Sequence, residues 1–312
     1  MNYNGNLATV FGAMARVGDK GCPFEQPLHA MRAALSNNPE NVDFLRPDAL
    51  LGIVFVADED DCSISDPALY DPNPDDPVHG PLSSFRCTRF GVRCSDGGTS
   101  PDAMNQIGAK AGCTDSPDSQ LLDPVASYRD FLLGLKPGNP ERVIVSAIIG
   151  PAQPFAVEER LVNNTQQIAL AHSCMYEGPQ ATEVADPAVR LQRFADLFAD
   201  RSTYAPICER DLSPGLEQIA QLATRVIGTP CIYEPLGDSD PDRPGDQFDC
   251  IVEELVGGAA TPIMECDEAL TPTCWRVIQD AQCPTADNLS LRIERGQAPP
   301  PDAVVRMRCR VN

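Results

Sequence analysis

With 312 residues and 42% hydrophobic content, the chain is long enough for one large domain and a smaller one. A formal charge of −21 excludes nucleic acid as a partner, because binding phosphate needs basic surface, and favours a well-solvated protein or one that binds cations. No apolar run approaches the length of a membrane span, so no transmembrane segment is expected.

Leu7, Val10, Phe11, Met14 and Val17 recur at helical spacing, and Gly18 can stop that helix. After a turn at Gly21-Cys22-Pro23, the residues Phe24, Leu28, Met31 and Leu35 mark one face of a second helix. Glu25 falls in its first turn, where a carboxylate suits the dipole. Leu50–Ala57 is apolar without alternation, which predicts a strand buried on both faces at the centre of a parallel sheet. It stops abruptly in Asp58, Glu59, Asp60 and Asp61, at the end of the strand where open α/β sheets bind ligands.

Residues 65–119 read as a long insertion with little periodicity. Such a loop persists when it is functional or stapled, and Cys87 and Cys94 are close enough for a small loop, with Cys113 reaching elsewhere. Val125–Lys136 returns to helix and Val143–Ile149 is a second buried strand, which completes a βαβ unit. Pro154–Thr182 is irregular apart from a strand at Gln167–Cys174. Asp186-Pro187 opens a helix by capping and by the fit of proline to the first turn. Tyr204–Cys208 is strand-like, and Ser213-Pro214 opens a last helix that Gly228 closes. From residue 230 onward short strands of period two take over, such as Leu289, Leu291, Ile293 and Val305, Met307, Cys309, Val311. Trp275 is expected in the core of that region.

The cysteines are Cys22, Cys62, Cys87, Cys94, Cys113, Cys174, Cys208, Cys231, Cys250, Cys266, Cys274, Cys283 and Cys309. No C-x₂-C occurs and His29, His79 and His172 are far apart, so zinc sites are not indicated. A disulfide framework in an oxidising, extracytoplasmic compartment is expected: secreted, periplasmic or anchored at the outer surface. The odd count leaves one cysteine free or paired outside the chain. Residues 1–21 have neither the basic nor the apolar region of a signal peptide, so the expectation is a chain that begins partway through a longer secreted protein.

Taken together, GCPFEQPLHAMRAAL, FLRPDALLGIVFVADEDDCS and VIVSAIIG resemble the second half of a von Willebrand factor A-type domain. More narrowly they resemble the cysteine-rich A-domain-like surface proteins and lipoproteins of myxobacterial type. The resemblance spans roughly residues 7–228. It implies an α/β fold, a partial A-domain-like (Rossmann-like), mostly parallel sheet with flanking helices, over residues 1–229. Residues 230–312 would then be a small disulfide-rich antiparallel β domain. The family's ion site uses an Asp-x-Ser-x-Ser, a Thr-bearing loop and an Asp at the end of a central strand. Asp58 matches the last of these. Cys22–Gln26 falls at the second without a Thr, leaving Glu25 or Gln26 to serve. Asp61-Cys62-Ser63-Ile64-Ser65 fits the first by letter, but two helices precede it and a Pro-rich insertion follows it. Either that motif lies upstream of Met1, or Asp61, Ser63 and Ser65 are the motif. The resemblance also places Cys22 and Cys62 at the same end of the sheet, where a bridge would join them; the alternative is that each pairs elsewhere.

Chemically, Asp58, Asp60 and Asp61 offer the hard oxygens that Mg²⁺ or Ca²⁺ prefers, with Glu25 as a further ligand and Ser63 and Ser65 joining only if Asp61–Ser65 is the motif. In extended backbone neighbours point opposite ways, so Asp58 would share an ion with Asp60 or Asp61 only. The competing reading is a solvated acidic loop stapled by Cys62. Asp238, Asp240, Asp242 and Asp249 match positions 1, 3, 5 and 12 of a Ca²⁺ loop, but Arg243 replaces the turn glycine and two prolines interrupt it, as in an acidic linker. No hydrolase or phosphate-loop motif is present. The expectation is an extracytoplasmic binding or adhesion protein with a protein partner or extracellular ligand. The alternatives are a metal-dependent hydrolase and an envelope protein that binds Ca²⁺ loosely.

Overall fold

The computed structural model describes the chain except residues 1–4, 17–23, 37, 42–43, 47–48, 74–75, 163, 180, 228–230, 241, 243–246, 257–258, 268–272, 281–282, 284–286, 297–302 and 312. Expectations for Val17, Gly18, Cys22, Pro23, Gly228 and Arg243 lie outside the described residues.

Helix α1 (Leu7–Met14) starts where the Asn6 side chain accepts the Thr9 N–H. Helix α2 (Pro27–Leu35) begins at its proline rather than at Phe24 and buries Leu28, Met31 and Leu35. Strand β1 (Leu51–Ala57) follows. Residues 65–119 are ordered into elements: α3 (Phe85–Gly91), β2 (Val92–Asp96), α4 (Pro101–Met104) and β3 (Gly108–Asp115). Next come α5 (Val125–Gly134) and β4 (Val143–Ile149). Pro154–Thr182 is not irregular: it carries β5 (Phe155–Val162), β6 (Thr165–Leu170), β7 (Cys174–Glu177) and the start of β8 (Thr182–Ala185). The α/β part closes with α6 (Val189–Asp196), β9 (Ser202–Pro206) and α7 (Ser213–Ile227).

Strands β1, β4 and β9 form a parallel sheet in that order, so β4 and not β1 is central. All of β4 is buried. In β1, Leu51, Phe55 and Ala57 enter the core made with α2, α5 and α6, whereas Gly52, Val54 and Val56 face out. The two-faced burial expected for β1 fails because α7 packs over β4 and β9, leaving Val54 and Val56 exposed. A second sheet, β2-β3-β5-β6, is antiparallel, and β7 and β8 form a hairpin, so the α/β part is not mostly parallel. Phe85, Val92, Met104, Phe155, Val157 and Leu170 fill a core between the insertion and β5–β6. The insertion's Pro-rich loop is organised by Arg86, whose buried guanidinium donates to the carbonyls of Leu69, Asp71, Gly80 and Pro81.

The last part contains β10 (Cys250–Val256), β11 (Ala259–Glu265), β12 (Thr273–Gln279), β13 (Leu289–Arg295) and β14 (Val304–Cys309). They form one sheet in the order β13-β12-β11-β10-β14. It is antiparallel except where β11 and β12 run parallel at Met264–Cys274 and Glu265–Trp275. Val252, Ile263 and Trp275 are its buried core, as expected for the tryptophan.

Six disulfides pair every described cysteine: Cys62–Cys87, Cys94–Cys113, Cys174–Cys208, Cys231–Cys283, Cys250–Cys309 and Cys266–Cys274. Two expectations are corrected. Cys62 bonds Cys87 and is therefore not joined to Cys22, and Cys94 bonds Cys113 rather than Cys87. Strand pairing decides the second case, because Cys94 and Cys113 face each other across β2 and β3. Six bridges fit an oxidising compartment, and no helix among the described residues is long and apolar enough to cross a membrane.

Candidate functional site

The acidic turn after β1 is a junction for three distant segments. Helix α6 begins at Ala188, which has no side chain to cap it. Asp60 caps it instead, accepting the Arg190 and Leu191 N–H groups at 2.9–3.1 Å. Helix α2 likewise gets no cap from its own Gln26. Its Leu28 and His29 N–H groups bond Asp61 Oδ1 at 3.1 Å and Ser63 Oγ at 2.9 Å. Asp61 also accepts from Ser63 Oγ and from Arg190 Nε and Nη2, the ion pair being no more than 1% exposed on either side. The Arg190 guanidinium further donates to the Asp123 carbonyl. The Asp123 carboxylate takes the Tyr128 hydroxyl and Arg32.

Glu25 and Gln26, just before α2, meet the acidic turn here. Cys62 N–H donates to the Glu25 carbonyl at 2.7 Å, and Ile64 N–H to Gln26 Oε1 at 3.3 Å.

Beside this junction lies a cleft of about 170 Å³, whose lining includes Phe24, Phe85 and Leu170, the carboxylates of Glu25, Glu59 and Asp186, and the basic Arg160. Asp58 stands exposed beside it. Asp186 is drawn in through its backbone: its N–H donates to the Asp58 carbonyl at 2.8 Å, and its carbonyl lies against Gly150 at the end of β4. A Cβ on Gly150 would come within 2.0 Å of that carbonyl, so only glycine fits. Asp186 was expected to cap α6. Its carboxylate instead bonds His172 Nδ1 at 2.7 Å.

The carboxylates destabilise one another's charge. Glu59 is pushed up to about 7 by burial first and then by Asp186, Glu25 and Asp58. Glu25 is raised by partial burial and by Asp58. Asp186 is raised by burial, against the pull of His172. Asp60 also rises to about 7 through burial, opposed by the N–H and charge of Arg190 and the Leu191 N–H.

Of the residues expected to hold an ion, Asp60, Asp61 and Ser63 spend their oxygens on helix N-termini and Arg190. Ser65 donates to the Gln120 carbonyl. Asp58 and Glu25 remain open, joined by Glu59 and Asp186. In the 237–249 segment, Asp238 accepts the Asp240 and Gln247 N–H groups across a β-bridge, and Asp240 and Asp242 are exposed. Among the described residues, the one set of three ligand atoms close enough to share an ion is Cys266, Cys274 and Glu294, and there both sulfurs are in a disulfide. Sequence reasoning missed Arg190, Asp123 and the His172–Asp186 pair. The one local signal for Arg190 is a basic residue flanked in sequence by the apolar Val189 and Leu191.

No family model matches the chain, and neither a curated protein nor a solved structure matches it.

Proposed function

We propose that this is an extracytoplasmic binding protein that recognises a protein ligand at the carboxyl end of β1, with Mg²⁺ or Ca²⁺ held among Glu25, Asp58, Glu59 and Asp186. The observation that carries this reading is the gathering of Glu25, Asp58, Glu59 and Asp186 at one end of β1, where burial first and then the neighbouring carboxylates raise Glu59 to about 7. A divalent cation relieves such repulsion and prefers oxygen ligands. The site needs a ligand's own oxygen or side-chain movement to close around the ion, as in ion-assisted protein recognition. The A-domain-like resemblance of residues 7–228 and the six disulfides support the same class.

Calorimetric titration of the whole chain with Mg²⁺ and with Ca²⁺ tests it. Saturable binding is expected, weakened at least about tenfold by Glu59→Gln and unchanged by Asp240→Ala. Binding that survives Glu59→Gln but is lost in Asp240→Ala moves the site to the 237–249 segment. Weak binding insensitive to both leaves an envelope protein with loose Ca²⁺ contacts. A second reading, metal-dependent hydrolysis, is favoured by one observation: His172 is oriented by Asp186 at 2.7 Å, as metal-bound or basic histidines are. Turnover of generic esters or phosphates that His172→Ala abolishes would establish it.

A further inference from the structure

Residues 65–119 hold a buried cation that no carboxylate answers. Arg86 is 1% exposed and makes no ion pair among the described residues. Four of its five N–H groups go to the carbonyls of Leu69, Asp71, Gly80 and Pro81, which leaves one on Nη2 unspent. Asp76 acts on it from a distance, for its own oxygens accept the Val78 N–H at 2.8 Å and bond His79 Nδ1 at 2.5 Å. Burial holds the Arg86 guanidinium below its ordinary value, and the charge of Arg89 works in the same direction. Arg89 donates to the Pro101 and His79 carbonyls and to Asp102, whose side chain is 94% exposed, so two of its five N–H groups stay unspent. The two guanidiniums converge on Gly80. Arg86 donates to its carbonyl, and a Cβ placed there would stand 3.5 Å from Arg89 Nη1. Buried charges are normally paired, so two cations meeting in this way favour an anion between them.

Room for one exists. A cavity of about 180 Å³ is lined by both arginines, His79 and the carboxamides of Asn105, Gln166 and Gln167, with no carboxylate among its described lining in a chain of 45 acidic residues. The side chains of those three carboxamides have no hydrogen-bond partner among the described residues. Phe85 and Ile168 add apolar wall. We propose that this cavity binds a small organic acid, its carboxylate on the unspent N–H groups of Arg86 and Arg89 and its carbon chain on Phe85 and Ile168. A guanidinium fork matches a carboxylate in shape as well as charge. The apolar wall selects an acid with a carbon body over a bare inorganic ion. A net charge of −21 does not forbid this, because exposed charges beyond about 10 Å are largely screened at ordinary ionic strength. The cavity shares Ser83, Phe85, Gln167 and Ile168 with the acidic cleft but none of its carboxylates, so the site stands or falls independently of cation binding.

The probe is butyrate, titrated into the ¹⁵N-labelled full chain with a chelator present and no divalent cation added. The readout is the side-chain Nε–H signals of Arg86 and Arg89, and saturable shifts of both are expected. Butyramide, equal in shape but uncharged, should bind at least about tenfold more weakly. Arg89→Gln should weaken butyrate by the same margin. So should Asn105→Asp, which supplies the cavity with a carboxylate of its own. The Asn105 side chain has no partner to lose, so this variant keeps its fold, which a thermal midpoint no lower than that of the parent chain would verify. Inorganic phosphate, titrated in parallel, separates an organic-acid site from one that takes any oxyanion. The proposal is overturned if no saturable shift occurs in the millimolar range, if butyramide binds as well as butyrate, or if butyrate binding is indifferent to either variant. It is equally overturned if phosphate binds as tightly as butyrate, since the apolar wall then selects nothing.

Discussion

Replacing Asp61 by alanine removes more than a surface carboxylate. Asp61 Oδ1 and Oδ2 together receive the Leu28 N–H, the Ser63 N–H and hydroxyl, and two nitrogens of Arg190. Arg190 is 1% exposed and its Nη1 already lacks a hydrogen-bond partner. Breaking a buried ion pair from one side costs about 3–5 kcal/mol, because the remaining charge stays desolvated. Loss of a helix cap adds about 1 kcal/mol. A total of roughly 4–6 kcal/mol is a large part of the ~5–15 kcal/mol available to a domain. Urea unfolding followed by far-UV circular dichroism, disulfides intact, should show the α/β part largely unfolded or its midpoint greatly lowered. Asp58→Ala, at an exposed position, should shift stability by less than about 0.5 kcal/mol. The double variant Asp61→Leu with Arg190→Met should recover most of the loss, since an apolar pair leaves no stranded charge. If Asp61→Ala costs under about 1 kcal/mol, the turn is not a structural junction and the reasoning fails.

Stability should also depend on pH in an unusual direction. Glu59 and Asp60 have folded values near 7, above the ordinary carboxylate range of the unfolded chain. Their contribution is full below that ordinary range and is lost as pH rises through about 7. Stability should therefore fall between pH 5 and 7, by roughly 3–5 kcal/mol at about 1.4 kcal/mol per proton and pH unit, with the share of Glu59 discounted for its partial solvation, and thermal midpoints should fall with it. Glu59→Gln should flatten this slope, and an unaltered slope in that variant would exclude Glu59 as its source. Gly150→Ala should destabilise by about 1–3 kcal/mol through collision with the Asp186 carbonyl, and a neutral result in chemical denaturation would contradict the close approach. Removing the Cys62–Cys87 bridge, which spans 25 residues, should cost about 3 kcal/mol, read as a lowered denaturation midpoint under non-reducing conditions.

Local chemistry made several features legible before folding was considered. The period of apolar residues located α2, α5 and α7, because a buried face imposes its spacing on the chain directly, and an unbroken apolar run located β4. Cysteine number alone indicated a disulfide framework, and period-two alternation revealed β13 and β14. Other features depend on which surfaces meet. Leu51–Ala57 reads the same whether one face or two are covered, and only the position of α7 over β4 and β9 leaves Val54 and Val56 bare. The strand content of Phe155–Leu170 is obscured by Glu158-Glu159-Arg160, which belongs to β5 because its backbone pairs with β6. Composition established that four acidic residues end β1. Their division of labour was decided by contacts 33 to 131 residues away, which turn Asp60 and Asp61 into caps for α6 and α2. Asp58 and Glu59 are left to the cleft. A carboxylate's role is set by the donors that reach it, and those donors come together only when the chain has folded.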